Sequence, residues 1–380
     1  MHHKKWYFGF IFYFCLVVKM IFKYRLFLCL FLSWQTSFSQ QSVPEFGIEE
    51  TVHYGSILPH RPIVTEIIEG HSFIYEVSFY KNTTGNKAWQ QLFNYPKIGI
   101  SAMYLNLGNK EELGNSFGIF PYLQIPLSKR KIRWELRFGY GFGYVEKPFD
   151  RADNYKNIAI GSRFNALINV NSLWKIQASK HIAFSAGISL VHFSNGSYVR
   201  PNLGFNIFSL NTGVSYSFGK EKEFQITTIP NKEKTWEHFI VANTGLKEIP
   251  PVEGPKYYIA NIAYNIVKPI NNKNSFGFSA DVFYNKSIEA LIEYNDNVEA
   301  SKTDNLRTGL GVMYGINIGN IMLSLHMGGY ILPNYKEDGY FYHRINSRYK
   351  INDKLFFNLG LKSHWAVADF IEAGIGFKIK

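Results

Sequence analysis

Past residue 40 the chain contains no cysteine; Cys15 and Cys29 both precede that point. A disulfide framework and a thiolate metal site are thereby excluded from the remainder. Long apolar runs are missing too: nothing after residue 40 reaches the ~18 consecutive apolar residues that a membrane-spanning helix needs. Charge is sparse, with charged residues at 18% against 17% aromatics, and no clustered basic run suggests a nucleic-acid partner. Glycine-rich GYGFGY, residues 139–144, alternates as a strand and has no helix after it, which excludes a nucleotide phosphate loop.

The first 40 residues read as targeting. Tyr7 to Val18 is apolar and ends at Lys19, and a second module starts at Met20. In that module Lys23 and Arg25 form a basic region, Leu26 to Trp34 an apolar one, and Ser37 to Ser39 a small-residue exit. This is the pattern of a secretory signal peptide over residues 1–40, with Met20 as the expected true start. The apolar region is too short to span a bilayer. Bulky Phe27 and Leu28 before Cys29 argue against lipid attachment there. Without this segment 36 basic residues face 29 acidic ones, a formal charge of +7 that suits contact with anionic lipid headgroups.

What fills the rest is period-two alternation. In Ile132 to Tyr144 one face carries Ile132, Trp134, Leu136, Phe138, Tyr140, Phe142 and Tyr144, and the other Arg133, Glu135, Arg137 and glycines. The pattern recurs from Phe276 to Tyr284, from Leu306 to Ile316 and from Phe341 to Tyr349. A soluble sandwich would bury the aromatic face; an outer-membrane barrel turns it to lipid and the charged face to a polar lumen. The runs exceed the usual soluble strand length of about 5–6 residues and suit a tilted membrane crossing. The expected fold is therefore all-β, an antiparallel transmembrane β-barrel of about 14–16 strands over residues 41–380.

Strand starts are expected near Val52, Phe73, Ile98, Ser116, Ile132, Ile158, Ile182 and Phe205, then Glu237, Tyr257, Phe276, Leu306, Ile321, Phe341, Leu355 and Phe370. Connections alternate between short and long, as periplasmic turns and external loops do. Tyr80 to Pro96 and Gly219 to Lys234 break that alternation, being long where short turns are due. The second is rich in Lys and Glu and would serve as a linker between two eight-stranded barrels; a single large barrel is the preferred arrangement and two barrels the alternative. The last strand ends in Lys380 rather than an aromatic residue.

Leu190 to Asn206, LVHFSNGSYVRPNLGFN, concentrates the chemistry. On a strand His192 and Ser194 share a face, and parity makes it the outer, apolar one, with Asn206 on the same face of the next strand. Polar groups there need a reason. They either sit at the headgroup interface as tolerated polar residues, or form a histidine-activated serine that attacks an acyl ester held at membrane height. His364 beside Trp365, with Asp369, reads as an ordinary interface or lumen contact. His53 and His60 flank an expected turn and lack metal-ligand spacing.

HFSN followed by PNLGFN resembles the signature of the lipid A 3-O-deacylase family, the PagL-like outer-membrane barrels, and of larger relatives called acyloxyacyl hydrolases. GISAMYLNLGNKEELG and LKSHWAVADFIEAGIGF also resemble the larger relatives. The resemblance implies Ser194 as nucleophile, His192 as general base and Asn195 with nearby backbone N–H groups at the oxyanion, with no metal or other cofactor. It implies a lipopolysaccharide or related glycolipid substrate and an outer-membrane location. The family's acid, a glutamate, falls at Asn206, whose amide accepts a hydrogen bond and carries no charge. Asp369 and Glu372 are the other carboxylates weighed for that role, and parity puts Glu372 on the lumenal row. The competing expectation is a non-catalytic barrel, either a pore or a lipid-binding structural protein.

Overall fold

The computed structural model describes residues 42–59, 61–296, 299–331, 338–365 and 367–379. The targeting segment with Met20 and Cys29, His60 and Lys380 lie outside the described residues. Sixteen strands are present among the described residues. The first eight are β1 Ser42–Ile57, β2 Ser72–Asn82, β3 Lys97–Asn106, β4 Asn115–Pro126, β5 Ile132–Val145, β6 Phe164–Gln177, β7 Ile182–Ser194 and β8 Phe205–Glu223. The second eight are β9 Glu237–Glu248, β10 Lys256–Pro269, β11 Asn274–Asn285, β12 Leu306–Ile318, β13 Ile321–Tyr330, β14 Phe341–Lys350, β15 Leu355–His364 and β16 Val367–Lys378. Short helices α1 (Pro62–Thr65), α2 (Ala88–Leu92) and α3 (Ser287–Asp296) sit in connections.

All pairing is antiparallel between sequence neighbours, and two pairings close the sheets: β1 with β8, and β9 with β16. The result is two closed eight-stranded barrels. The all-β barrel and its sixteen strands stand; the preference for a single large barrel is corrected, and the alternative is the arrangement adopted. The physical reason is that β8 extends over nineteen residues and hydrogen-bonds along the full length of β1, from Ile57↔Ile207 to Ser42↔Glu223. No edge of β8 is then left for β9.

The two irregular connections find their purpose here. In the β2–β3 connection α2 lies against the 224–236 linker: Gln225 N–H donates to Thr84 O (2.7 Å) and Gln91 Nε2 to Thr227 Oγ1 (2.9 Å). The far part of the linker is tied to the second barrel, where Lys232 N–H donates to Asn272 Oδ1 at 2.7 Å. These contacts define a linker end of both barrels; the opposite, loop end carries the longer connections.

Side-chain polarity is inverted relative to a soluble protein. Outward rows are apolar and exposed, with Phe142 and Phe164 at 75% and Leu210 at 63%. Inward rows are polar and buried, with Arg137, Glu49 and Glu76 at 0%. Eight strands leave an interior that side chains can fill. In the first barrel Arg137 contacts Glu76 at 2.6 Å and Glu49 at 3.3 Å, and Lys175 contacts Glu49 at 2.8 Å. In the second, Arg344 bridges Asp281 at 2.5 Å and Glu372 at 2.8 Å. An apolar cluster including Val64, Leu107, Ile160, Phe193 and Phe205 caps the first interior beneath its loops. A lumen filled in this way removes the support that polar inner rows lent to a pore.

Three smaller expectations are corrected, and the first is that the strand expected from near Val52 begins at Ser42. The strand expected from Ile158 begins at Phe164, because residues 158–163 run under the β7–β8 loop, with Ile160 bridging Asn202. His53 does not flank a turn: it faces inward on β1, its Nδ1 3.0 Å from Ser189 Oγ and its Nε2 3.1 Å from Glu76.

Candidate active site

Strand parity decides which side chains meet. Along β7 even-numbered residues point outward, from Phe184 at 54% exposed through Leu190 at 37%, and odd-numbered ones are buried inward. His192 and Ser194 close the outward row at the loop end, His192 half-buried and Ser194 8% exposed. Antiparallel register puts His192 directly opposite Asn206 on β8, and Ser194 opposite Ala166 on β6. Asn206 Oδ1 lies 2.8 Å from His192 Nδ1. With the amide oxygen as acceptor, Nδ1 carries the ring proton and Nε2 is the basic nitrogen.

Gly204 fixes the space in front of this pair. Its φ of +81° is in the left-handed region, where glycine is the unstrained residue. A Cβ there would sit 3.0 Å from His192 Cε1 and 3.6 Å from Ser194 Cβ. One point thus borders both the imidazole edge and the serine, so the two side chains share a single outward-facing niche.

The β7–β8 loop is held by its own amides. Asn195 N–H donates to Asn202 Oδ1 (3.0 Å), Asn195 Nδ2 to Ser162 Oγ (2.7 Å), and Val199 N–H to Asn195 Oδ1 (3.3 Å). Tyr198 N–H reaches Asn195 O at 3.2 Å across Gly196 and Ser197, whose φ values are +62° and +63°. Positive φ at both central positions makes this a tight type I′ turn. Immediately after Ser194 it presents consecutive backbone N–H groups.

That turn also rests on the second barrel. Ser197 Oγ donates to Ala368 O at 2.8 Å, and Glu248 N–H donates to Ser197 O at 2.8 Å. Ile371 packs so closely on Gly196 that a Cβ there would fall 2.4 Å from its Cγ1. Tyr198 is covered by Lys256, with Nζ 5.4 Å from the ring centroid. Arg200 in the same loop is held below the ordinary guanidinium range by burial, with the Glu248 carboxylate pulling the other way.

The carboxylates weighed as substitutes for the acid lie elsewhere. Asp369 binds Lys247 at 2.5 Å and Lys362 at 2.6 Å, and Glu372 binds Arg344 inside the second barrel. His364 is 9% exposed and faces inward, its Nε2 2.8 Å from Tyr330 Oη. The sequence reading missed Ser162, Asn202, Gly204, Ala368 and Ile371. Asn202 and Gly204 stand inside the PNLGFN segment, and Ala368 and Ile371 inside LKSHWAVADFIEAGIGF; Ser162 carries no local signal.

Comparison with known proteins agrees with the two-barrel division. Residues 74–215 match the family model described as lipid A 3-O-deacylase (PagL), and residues 236–380 match the one described as acyloxyacyl hydrolase, C-terminal domain. No curated protein matches the sequence. Among solved structures, a Rhodopseudomonas blastica porin triple mutant is 9% identical, covers 88% of this chain and 99% of its own, and has a TM-score of 0.19. The Acinetobacter baumannii outer membrane protein Omp33 is 7% identical over 88% of this chain and 97% of its own, with a TM-score of 0.17. No part of the assignment rests on these two likenesses.

Proposed function

We infer that this chain, which carries a lipid A 3-O-deacylase (PagL) family domain over residues 74–215 and an acyloxyacyl hydrolase C-terminal domain over 236–380, is an outer-membrane serine esterase that removes an ester-linked acyl chain from lipopolysaccharide or a related glycolipid. The family domain implies ester hydrolysis on lipid A, and a lipid-facing barrel of this family suits the outer membrane. The observation that carries the residue assignment is the 2.8 Å contact between His192 and Asn206 on the outward row that also holds Ser194. A nucleophile on that row, at the loop end, meets the ester of a lipid whose chains stay in the bilayer.

In this reading Ser194 Oγ attacks the ester carbonyl and His192 Nε2 takes its proton. The oxyanion receives the backbone N–H groups of Gly196 and Ser197 and the Nδ2 hydrogen of Asn195 not given to Ser162. Collapse expels the sugar alkoxide, which takes the proton back from His192 and leaves the acyl group on Ser194. Water, deprotonated by His192, then releases the fatty acid and restores the serine. Asn206 holds the imidazole tautomer throughout without adding charge.

One observation favours a second reading, that of a non-catalytic lipid-binding barrel: an amide occupies the acid position. Mass spectrometry of lipid A separates the two. Cells producing the intact protein should show lipid A lighter by one acyl chain, and cells producing Ser194→Ala should not. Identical lipid A in both would leave the binding reading standing and end the esterase one.

A further inference from the structure

Among the charged groups inside the barrels, Arg348 stands apart. It faces inward on β14, two residues from the linker end, and is 5% exposed. Its guanidinium lies over Phe356, 5.2 Å from the ring centroid, and Nη2 donates to Asn265 Oδ1. Nε and Nη1 have no hydrogen-bond partner, and Arg348 makes no ion pair among the described residues. The carboxylates nearest along the interior, Asp281 and Glu372, are engaged by Arg344. A buried cation without a counter-charge is costly, by several kcal/mol in general, so a site that keeps one has an anion to offer it to.

Arg348 also lines a cavity of about 600 Å³ at the linker-end mouth of the second barrel, within the ordinary size of small-molecule sites. Apolar side chains dominate the wall: Trp89 of α2, Ile229 of the linker, Ile321, Met322 and Leu355. The mouth carries two closed ion pairs, Lys350 with Asp353 at 2.8 Å and Lys378 with Glu237 at 2.6 Å. Lys232 and Lys354 add positive charge that makes no ion pair among the described residues. An apolar wall, a surplus of cations and a desolvated guanidinium with two unpaired donors describe a receptor for an anion joined to a hydrocarbon chain.

We propose that this cavity binds a single-chain anionic amphiphile, its carboxylate or phosphate head drawn to the Arg348 guanidinium that lines the cavity and its chain along the apolar wall between the second barrel, α2 and the linker. The site is remote in the fold from Ser194, at the opposite end of the strands, and stands whether or not the esterase reading does.

The test is isothermal titration of the whole protein in nanodiscs with octanoate, octyl phosphate, 1-octanol and inorganic phosphate. At least one charged amphiphile should bind, about tenfold or more tighter than octanol, and Arg348→Met should remove that advantage. Octanoate preferred over octyl phosphate identifies a fatty acid as the source, and the reverse a phospholipid-type head. Leu355→Glu, at the start of β15 in the cavity wall, should weaken both and guards against a folding defect in the Arg348 variant. Octanol binding as tightly as the charged probes, inorganic phosphate binding as well as octyl phosphate, unchanged affinity in Arg348→Met, or binding by none of the probes would each overturn the proposal.

Discussion

The two barrels have the same strand number, the same closure and the same inverted polarity, yet treat the loop end of their seventh strand in opposite ways. On β7 the histidine falls on the outward row, so His192 meets Asn206 beside Ser194 at the lipid surface. On β15 the even-numbered residues face inward throughout, so His364 points inward to Tyr330 and an ion network of Lys362, Asp369 and Lys247. A one-residue change of parity moves a side chain to the other face of a strand. Here it separates an outward-row pair, His192 and Ser194, from a buried inward contact at His364. The second barrel instead braces the first, since Ala368 and Glu248 hold the turn that follows Ser194.

The sharpest break of this comparison is to remove one residue from each place. Ser194→Ala should lower lipid A deacylation by about 10⁴-fold or more, measured on purified protein, while heat-modifiable gel migration shows the barrel intact. His364→Ala in the second barrel should leave turnover unchanged. Equal losses from the two would mean that parity does not separate a reactive site from a structural one.

The interiors differ next. Arg137 meets two carboxylates in the first barrel, whereas Arg348 meets none in the second. Arg137→Met takes the guanidinium from Glu76 and from Glu49, leaving Glu49 with Lys175 and Glu76 with His53 and serine hydroxyls, and should cost about 3 kcal/mol. Arg348→Met removes an uncompensated charge and should leave thermal stability unchanged or raised when no amphiphile is bound. Unfolding midpoints of the two variants in one detergent would check the opposite signs, and a shared loss would show that both arginines are paired alike.

Much of this architecture was legible in the chain. Outward and inward rows follow from alternation alone, which is a local property, and fourteen of the expected strand starts needed no tertiary information beyond it. Closure was not legible, because whether β8 returns to β1 or passes on to β9 depends on pairing across more than a hundred residues; the Lys- and Glu-rich stretch after Gly219 was the one local sign of a division. His192, Ser194 and Asn206 could be aligned by parity, since adjacent strands joined by one loop have a traceable register. The supports could not: Ser162 lies 33 positions before Asn195 and Ala368 lies 171 after Ser197.

Asn206 is where the first barrel departs from a full triad, and changing it asks whether the niche is limited by charge. Asn206→Glu would place a carboxylate near His192 Nδ1 and stabilise the imidazolium formed during attack. In a serine triad the reverse change costs about 10⁴-fold; with the longer side chain to seat on a lipid-facing row, a gain of about a hundredfold in turnover is expected. Asn206→Leu should lower turnover, since nothing then fixes the ring tautomer. No response to either change would mean that Asn206 does not orient the base.

The smallest expected effect comes from Gly204, the residue that leaves room for the pair. Gly204→Ala forces a non-glycine residue to φ +81° with its Cβ 3.0 Å from His192 Cε1 and from the Phe193 carbonyl. The left-handed strain costs about 1 kcal/mol, and the imidazole must shift by a few tenths of an ångström. Turnover should fall about tenfold, as small misplacements of a base do, with the barrel still folded. Gly339 supplies the control from the second barrel: its φ is +78° and, among the described residues, nothing lies within 4 Å of an added Cβ. Gly339→Ala carries the same backbone strain, so a loss of turnover confined to Gly204→Ala would trace to the imidazole rather than to the loop backbone.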